Sequence, residues 1–485
     1  MRRARDPDAL AAYLEDASRA LHGRADEVVW PESAGEVSEL LADCCAKGIP
    51  VTVSGGGTGV TGGRVPLGGV VLATDRLRRC GPFPPARAGG EALVEVGAGV
   101  PLAELHGEAE RAGWFYPPDP TEEGAYLGGT LATNASGARS FRFGPTRAWV
   151  RAVEAVLPDG RIVRLARGQS VARGGRLELP TVSGDRLVVP APNWAPPKTR
   201  KNAAGYHPGP DAVDLLVGSE GTLAVIVKAT VALRPRPPGW ITGLLAFPSE
   251  RQALEFVAAA RRGEGRVSPA SLEFLDAASL RLLARRGERV PEGAEAAVVL
   301  DEPLPRGGHA EDLLDRYAAL ADRHGASPES WLSGEAEDRR RLRALRHALP
   351  AAVNETVTRR GFGKLGTDTA VPPGRLPGLL ERYRRILDEA GMEYVVFGHA
   401  GDDHLHVNLI PSSEHEAEAG RRLHERLLEA AVEVGGTVSA EHGIGKLRRQ
   451  ALARMYPPEA LAAMRATKAA FDPQGILGRG TLFPP

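Results

Sequence analysis

The chain has 485 residues, a length that predicts two or three structural units rather than a single core. Lysine plus arginine and aspartate plus glutamate each count 61, so no net charge favours nucleic acid or an anionic membrane as a partner. The three cysteines, Cys44, Cys45 and Cys80, form no CxxC pair, which argues against a cysteine-bound cluster and favours a reduced, cytoplasmic setting. No apolar run approaches the length of a membrane span.

The N-terminal region predicts an α+β arrangement. Residues 1–20 form a polar, amphipathic helix candidate. An apolar segment at 28–30, a helical pattern over 33–48 and a strand pattern over 50–54 then indicate a β-α-β opening that ends in glycines. Further strands and turns are predicted in segments 70–77, 92–100, 149–165 and 214–237, with a hairpin turn at 158–160.

A proline-rich stretch at 235–238 marks a change in the pattern of predicted strands and helices. Beyond it, strand patterns alternate with charged helices up to about residue 455, which predicts an antiparallel sheet with helices on one side. One helix and an extended tail close the chain. We therefore expect an N-terminal domain over 1–238, with its core from about residue 26, a cap over 239–455, and a segment over 456–485 that rejoins the N-terminal domain.

The segment SGGGTGVTGG, residues 54–63, follows a predicted strand directly. With almost no side chains, its backbone N–H groups can turn inward and form a nest for a pyrophosphate. It matches neither GxGxxG followed by a helix nor GxxxxGK[ST]. On this segment alone, a flexible surface loop is the alternative.

Two further segments, at 116–150 and 214–233, are rich in glycine and small polar residues. In residues, order and spacing, the three segments together resemble the FAD domain of the vanillyl-alcohol oxidase and p-cresol methylhydroxylase superfamily. The resemblance implies a two-domain α+β fold with FAD between the domains, and non-covalent FAD, because both flavin loops lack histidine and cysteine. The FAD contacts implied by position are Gly55, Gly56, Gly57, Thr58, Gly59, Thr61, Gly62, Pro118, Asp119, Thr121, Gly128, Gly129, Thr130, Asn134, Ser136, Gly137, Glu220, Gly221, Thr222 and Ile226.

Residues suited to metal binding and proton transfer cluster in two short, glycine-flanked segments, 397–411 and 435–446. The side chains concerned are His399, His404, His406, Glu441 and His442. In the predicted strand HLHVN, His404, His406 and Asn408 share one face. The alternative is a set of buried or surface histidines satisfied by hydrogen bonds, which the clustering disfavours.

The two segments resemble the GHxGDGNLHxN and EHGIG motifs of the FAD-linked D-2-hydroxyacid dehydrogenases. That resemblance implies that His399, His406 and Glu441 bind a divalent metal ion, with zinc as the ion implied, and that His442 is the base. It also implies metal-assisted proton abstraction and hydride transfer from a small 2-hydroxy acid, of the D-lactate or glycolate type, to flavin N5.

The segment 339–352 resembles the part of this family that carries a substrate-binding arginine, and the register places Arg346 there. A guanidinium can bind both oxygens of a carboxylate, whereas a solvent-exposed basic face is the alternative for its neighbours. Asn408 matches a substrate-contacting asparagine. Three departures appear: Asp403 and His404 replace a glycine–asparagine pair, Lys364 lies two residues out of register with Gly366 in its place, and Pro350 stands where some relatives carry a threonine. With these losses, a dicarboxylate substrate is not favoured.

Two alternatives remain at this level. One is a redox-neutral transferase of the alkyldihydroxyacetonephosphate synthase type, which typically carries a histidine run in place of SAEHGIG; the other is a flavin-binding subunit of a larger oxidase. The electron acceptor is expected to be external: a quinone, an electron-transfer flavoprotein, an iron–sulfur subunit or oxygen. We expect a cytoplasmic protein, with a peripheral position at the inner membrane and a homodimer left open.

Overall fold

In the computed structural model, residues 1–85 and 90–485 are described. The strands of the N-terminal region are β1 (Arg2–Ala4), β2 (Glu27–Trp30), β3 (Val51–Ser54), β4 (Val70–Ala73), β5 (Ala92–Gly97), β6 (Trp114–Phe115), β7 (Val150–Val156), β8 (Ile162–Ala166), β9 (Arg176–Pro180), β10 (Arg186–Pro190) and β11 (Val225–Pro235). Its helices are α1 (Pro7–Ala11), α2 (Ala34–Lys47), α3 (Leu102–Arg111), α4 (Leu127–Thr133), α5 (Ser140–Phe143) and α6 (Ala212–Leu216).

The predicted β-α-β opening is confirmed by β2, α2 and β3. The Ser33 side chain caps α2 by accepting a hydrogen bond from the Glu36 N–H, and Gly48, with a φ of 65°, ends the helix. Strands β2 and β3 both pair in parallel with β4, in a sheet of order β1-β2-β4-β3. The carboxyl end of β3 delivers the chain into the glycine-rich segment.

Two N-terminal expectations are wrong. The predicted amphipathic helix over residues 1–20 is reduced to the five residues of α1, because residues 2–4 pair with β2 as an edge strand instead. The start of segment 214–237, predicted as a strand, lies partly in the short helix α6. There the Asp211 side chain accepts a hydrogen bond from the Val213 N–H and caps a helical turn.

A second N-terminal sheet has the order β5-β11-β7-β8, with β6 also paired to β11. The predicted hairpin joins β7 to β8, and Gly160 at its turn has a φ of 89°, which favours glycine. Strand β11 ends at Pro235, and β12 begins at Trp240, on either side of the predicted boundary between the N-terminal domain and the cap.

The C-terminal half has its own sheet, with all pairs antiparallel, of order β15-β12-β14-β13-β18-β19-β16 and with β17 paired to β19. Its strands are β12 (Trp240–Phe247), β13 (Ser271–Asp276), β14 (Ala296–Pro303), β15 (Trp331–Ser333), β16 (Leu365–Gly366), β17 (Thr369–Ala370), β18 (Tyr394–Gly398) and β19 (His404–Leu409). Its helices are α7 (Glu250–Arg261), α8 (Ala277–Arg285), α9 (Ala310–Arg323), α10 (Ala336–Arg359), α11 (Leu376–Asp388) and α12 (Glu414–Glu433).

Helices cover both faces of this cap sheet, so the expectation of helices on one side is wrong. Helices α7, α9, α11 and α12 pack on the face that carries Val298, whereas α8 and α10 pack on the face that carries Val299. The central strand β14 is buried along its whole length, and such strands are apolar on both faces rather than alternating.

The chain ends with α13 (Arg449–Met455) and α14 (Pro458–Phe471), which pack against the N-terminal core. Beyond α14, Leu477 forms a parallel bridge with Val51 of β3. The last residues thus contact the N-terminal region, as the predicted rejoining segment requires, while the exact bounds of the three units stay a prediction. Within the described residues, no helix is long and apolar enough to cross a membrane.

Candidate active site

A cavity of about 420 Å³ is lined by residues of both the N-terminal region and the cap. All the side chains predicted to bind metal or substrate, or to act as a base, line it: Arg346, His399, His406, Asn408, Glu441 and His442. The glycine-rich segment lines the same cavity. The fold therefore brings together residues almost 390 positions apart in the sequence (Gly55 and His442).

The glycine-rich loop after β3 has the backbone that a pyrophosphate requires. Among the described residues, the N–H groups of residues 55–60 find no hydrogen-bond acceptor. Gly57 has a φ of 80°, and a Cβ at Gly56 would lie 2.8 Å from the carbonyl oxygen of Gly124. Consecutive backbone N–H groups without acceptors, in a tight loop, are suited to binding an anion. This loop therefore fits the diphosphate of FAD.

The predicted FAD contacts divide into two groups. Those that line the cavity are Gly55, Gly56, Gly57, Thr58, Gly59, Thr61, Thr121, Gly128, Gly129, Thr130, Ser136, Glu220, Gly221 and Ile226. Those that lie outside its lining are Gly62, Pro118, Asp119, Asn134, Gly137 and Thr222.

The second group supports the cavity wall. The buried Asp119 carboxylate lies 3.4 Å from Arg139 and 3.1 Å from Arg343, so its charge is engaged by guanidinium groups. Asn134 has a φ of 49° at the end of α4 and accepts a hydrogen bond from the Arg147 N–H. A Cβ at Gly137 would meet the Asp119 carbonyl oxygen at 2.0 Å, which explains the glycine by packing alone.

Arg64 is a cavity-lining residue that the sequence analysis did not select. Its Nη2 donates to the Ala12 carbonyl at 2.7 Å, while its buried Nε has no partner among the described residues. It lies beside Gly57, where an added Cβ would collide with the guanidinium. An arginine directly after a glycine run was the available signal.

Three imidazoles and one carboxylate converge on the cap side of the cavity. One ring nitrogen each of His399, His404 and His406 and one oxygen of Glu441 lie within 4.8 Å of one another. Glu441 Oε1 is 3.3 Å from His399 Nε2 and 3.4 Å from His406 Nε2. Imidazole and carboxylate donors suit zinc and other first-row divalent ions, so this group fits the implied metal.

The outer atoms of these side chains are held by further residues. His399 Nδ1 lies 2.7 Å from Glu273 Oε1 on β13, and His406 Nδ1 lies 3.0 Å from the Thr367 carbonyl. Such contacts fix the ring orientation of metal-binding histidines. Glu273 was not among the residues selected from the sequence, although an acidic residue inside the apolar strand β13 was a detectable signal.

Glu441 has its own supports. Its Oε2 accepts hydrogen bonds from the Ser136 hydroxyl at 3.0 Å and from the fully buried Lys201 ammonium at 3.3 Å. Burial alone would raise the pKa of Glu441, but the positive charges of Lys201 and His399 outweigh it and hold that pKa well below its usual range. Glu441 is therefore an ionised carboxylate, as a cation ligand must be.

The pKa values of His399 and His404 shift in opposite directions. Burial alone would lower the pKa of His399, but the carboxylates of Glu273 and Glu441 outweigh it and raise that pKa to about 9. For His404, burial dominates and lowers the pKa to about 3. An imidazole that stays neutral keeps a lone pair available.

His442 is positioned by Asp368, which the sequence analysis did not select. His442 Nδ1 lies 3.0 Å from Asp368 Oδ2, and the His442 backbone N–H donates to the same oxygen. Asp368 also accepts hydrogen bonds from the Ser439 hydroxyl and from Arg448, both at 2.8 Å. With Nδ1 facing this buried carboxylate, the other ring nitrogen of His442 is available for a proton.

Arg346 lies on α10, and no ion-pair partner for it occurs in the described parts of the chain. Its neighbours differ: Arg343 pairs with Asp119 and Glu123, and the Arg339 guanidinium stacks 3.9 Å from the centre of the Trp240 ring. The solvent-exposed basic face considered for the neighbours is therefore not what the structure has at these two positions. Arg346 is left as a free guanidinium on the cavity wall.

Asn408 is buried, and its Nδ2 lacks a hydrogen-bond partner among the described residues. Since a buried amide without an acceptor is unfavourable, this donor is available to a ligand. Lys364, displaced by two positions in the sequence, still lines the cavity with an exposed side chain.

The loop that carries Glu441 and His442 packs directly on the glycine-rich loop. Gly445, with a φ of 54°, approaches so closely that a Cβ would lie 2.1 Å from the Thr61 carbonyl oxygen. Glu220 accepts hydrogen bonds from the N–H groups of Ile444 and Gly445 at 2.8 and 2.7 Å. Burial raises the pKa of Glu220 to about 7 despite these bonds.

Comparisons with known proteins agree with this architecture. A family model described as FAD linked oxidases, C-terminal domain, matches residues 237–482, and one described as FAD binding domain matches residues 25–166. The chain is 32% identical to a D-lactate dehydrogenase of Archaeoglobus fulgidus, with 93% of this chain and 90% of the relative covered. It is 29% identical to the glycolate oxidase subunit GlcD of Bacillus subtilis, with 97% and 92% covered.

It is also 29% identical to a D-2-hydroxyglutarate dehydrogenase of Xanthomonas citri pv. viticola, with 99% of this chain and 93% of the relative covered. A solved structure of alkyldihydroxyacetonephosphate synthase matches with a TM-score of 0.65 at 16% identity, covering 98% of this chain and 81% of that chain. At that identity the likeness shows the fold alone.

The chain belongs to the FAD-linked oxidases, and within them to the D-2-hydroxyacid dehydrogenase group of the vanillyl-alcohol oxidase superfamily. It is an FAD-dependent oxidoreductase with the predicted two-domain α+β fold and an antiparallel cap sheet.

Proposed function

We propose that this enzyme oxidises a small 2-hydroxy acid, of the D-lactate or glycolate type, to the 2-oxo acid. The observation that carries the proposal is one cavity that holds a free guanidinium, an imidazole–carboxylate cluster and a row of unpaired backbone amides. The guanidinium suits the carboxylate of a 2-hydroxy acid, and the imidazole–carboxylate cluster suits its adjacent hydroxyl. The backbone amides suit the diphosphate of FAD. The names of the similar proteins support the same substrate class.

In the proposed reaction, Arg346 binds the substrate carboxylate through both oxygens, and Asn408 donates a hydrogen bond from its unpartnered Nδ2. Bound FAD would accept a hydride at N5, and a divalent cation, with zinc as the ion proposed, held by His399, His406 and Glu441 would acidify the substrate hydroxyl.

His442 takes the hydroxyl proton on the ring nitrogen that does not face Asp368. Asp368 orients the ring and stabilises the imidazolium that forms, because its carboxylate is buried 3.0 Å from Nδ1. As the hydroxyl loses its proton, the Cα hydrogen would leave together with its bonding electrons, as the hydride that bound FAD accepts, and the carbonyl would form. The product is the 2-oxo acid.

The apolar wall around this site supports a short side chain on the substrate. Phe274, Leu275, Leu349 and Phe397 line the cap side of the cavity, together with Pro350. Lys364 also lines this wall, and its side chain is exposed. A monocarboxylate therefore fits the wall better than a dicarboxylate.

We also propose an external electron acceptor: a quinone, an electron-transfer flavoprotein or an iron–sulfur subunit. The three cysteines are free: Cys44 and Cys45 lie on α2, Cys80 is exposed, and none of the three lines the cavity. None of them can hold a redox cluster within this chain. The acceptor would be met in the cytoplasm or at the inner membrane surface.

The deciding experiment is anaerobic reduction of the bound flavin, followed as loss of its visible absorbance band. Paired D and L forms of lactate, malate and 2-hydroxyglutarate would be tested with glycolate and longer apolar 2-hydroxy acids. Reduction by a D acid, but not by its L partner, is the expected result. If no 2-hydroxy acid reduces the flavin in protein that contains FAD and metal, the proposal is wrong.

A further inference from the structure

One histidine, His404, lies beside the three ligands assigned above, within the same group of imidazole and carboxylate side chains. His404 is the first residue of β19, two positions before His406, so both side chains lie on the same face of the strand. The centres of the His404 and His406 rings are 4.5 Å apart, and those of His399 and His404 are 5.2 Å apart. In the family motif this position is an asparagine.

The three histidines share one arrangement. In each, one ring nitrogen lies against an outer oxygen: Glu273 for His399, the Thr367 carbonyl for His406 and, at 3.1 Å from Nε2, Asp368 Oδ1 for His404. A carboxylate or carbonyl behind the ring is what metal-binding histidines almost always have. His404 therefore has the same outer support as the two assigned ligands.

The His404 side chain is fully buried, yet neither ring nitrogen has a hydrogen-bond partner among the described residues. The contact with Asp368 is close but not aligned for a hydrogen bond. Leaving a buried polar atom unsatisfied costs about 1–3 kcal/mol, so a fully buried imidazole without partners is unusual in the absence of a ligand.

The residue before it has a different task. Asp403 has a φ of 53°, a backbone conformation that explains the glycine of the family motif and that aspartate tolerates. Its carboxylate pairs with Arg261 at 2.6 Å and accepts a hydrogen bond from the Gly374 N–H. Asp403 thus points its charge at α7, and His404 is the member of the replaced pair that reaches the cluster.

We propose that His404 is a third imidazole ligand of the cation, so that this chain holds the ion with three histidines and one glutamate. The inference rests on the proposed function for the other three ligands. Three imidazoles and one carboxylate are the kind and number of donors that hold zinc in proteins, and zinc can also accept an oxygen of a substrate. The site would hold its ion more tightly than a site with asparagine at this position.

The test uses the FAD-loaded full chain, stripped of metal and reloaded with Co²⁺. X-ray absorption at the cobalt edge counts the bound imidazoles, and competition with a chelator measures Co²⁺ affinity. Three imidazoles are expected in the wild-type protein and two in His404→Asn, with an affinity at least about 10-fold lower. His424→Asn is the matched control, because His424 is another largely enclosed histidine, with Nε2 3.3 Å from the Gly366 carbonyl and outside the cluster.

Two imidazoles in the wild-type protein would overturn the inference, whatever the variants do. The same holds for an unchanged imidazole count in His404→Asn, even with weaker binding, since an outer-shell residue could cause that loss. A wild-type protein that takes up no Co²⁺ would remove both this inference and the metal part of the proposed function. Three imidazoles in a protein whose flavin no 2-hydroxy acid reduces would support the inference and remove the proposed function alone.

Discussion

Asp368 was not selected from the sequence, yet it contacts four residues of the candidate active site. It lies within 3.1 Å of His404 and His442 and accepts hydrogen bonds from Arg448 and Ser439. Burial alone would raise the pKa of Asp368, but His442 and the other donors outweigh it and keep that pKa well below its usual range. A single buried negative charge therefore orients the proposed base.

At the residue scale, His442→Ala should abolish flavin reduction by substrate while FAD and metal stay bound. General-base removal typically lowers a rate by about 100-fold or more. Stopped-flow measurement of flavin absorbance gives the rate, and metal analysis gives the occupancy. His22→Ala, at an exposed histidine paired with Glu15, is the control that should behave as the wild type. Near-normal reduction in His442→Ala would move the base to another residue.

The substrate anchor gives a second prediction at this scale. Arg346→Lys should raise the KM for the carboxylate substrate by about 10-fold or more, because a lysine cannot bind both carboxylate oxygens in one plane. The kcat should change less than the KM, since the lost contact is made in the ground state too. Steady-state kinetics with an artificial acceptor measures both.

The matched variant is Arg340→Lys, six residues before Arg346 on the same helix, where the arginine is exposed and pairs with Glu337. It should leave the KM unchanged. An equal KM in Arg346→Lys and the wild type would place the carboxylate elsewhere in the cavity.

At the scale of elements, the loop between α12 and α13 joins the two halves of the site. It carries Glu441 and His442 and lies against the glycine-rich loop, where the Lys446 ammonium donates to the carbonyls of Gly62 and Gly63 at 3.2 and 2.9 Å. A shift of this loop would therefore change the flavin site and the metal site together. Gly445 is the point of closest approach.

Gly445→Ala should lower both FAD occupancy and stability. An alanine at a φ of 54° costs about 1–2 kcal/mol, and its Cβ would also collide with the Thr61 carbonyl. Gly391→Ala is the control for backbone strain alone, since Gly391 has a φ of 63° and nothing within 4 Å of an added Cβ. FAD content after purification and urea unfolding measure the two effects. Equal losses in both variants would mean that the close contact contributes nothing.

At the scale of the whole molecule, the cap is attached beside the cavity by an ion cluster. Asp119 of the N-terminal region pairs with Arg343 of α10, the helix that carries Arg346. The two arginines beside Asp119 outweigh the effect of burial and keep its pKa well below its usual range. The position of the substrate anchor thus depends on a contact between the two halves.

Asp119→Asn should lower the free energy of unfolding by about 3 kcal/mol, because Arg139 and Arg343 lose their buried counter-charge. The pKa of Asp119 is depressed in the folded state, so its contribution is complete above the unfolded-state pKa of about 3.9 and is lost as the pH falls through the lower folded-state pKa. The difference in the free energy of unfolding between Asp119→Asn and the wild type should therefore be constant near neutral pH and become smaller in acid.

Urea unfolding over a pH series measures this difference. Glu123→Gln removes the more exposed carboxylate on the same Arg343 and should change stability by less than about 1 kcal/mol. The FAD content of Asp119→Asn tests whether Asp119 contacts the cofactor. Because Asp119 lies outside the cavity lining, FAD should stay bound. A variant that folds normally but loses FAD would return Asp119 to the cofactor contacts.

Much of the fold could be predicted from local patterns. The β-α-β opening, the hairpin at Gly160 and the strand at 404–409 each follow from a period or a turn signal within a few residues. The failures have a common cause: residues 1–20, the start of segment 214–237 and the placement of helices on both faces of the cap sheet all depend on contacts made by distant parts of the chain.

For the site, the sequence by itself determined which chemical groups are available: the glycine run, the histidines, Glu441 and Arg346. Residue type and spacing suffice for that, because side-chain chemistry is local. Only the tertiary structure decided which of them meet. It selected Glu273, Lys201 and Asp368 as supports and paired Asp119 with Arg139 and Arg343. Burial and charge pairing are properties of the folded chain, and they determine whether a polar residue binds a ligand or stabilises its neighbours.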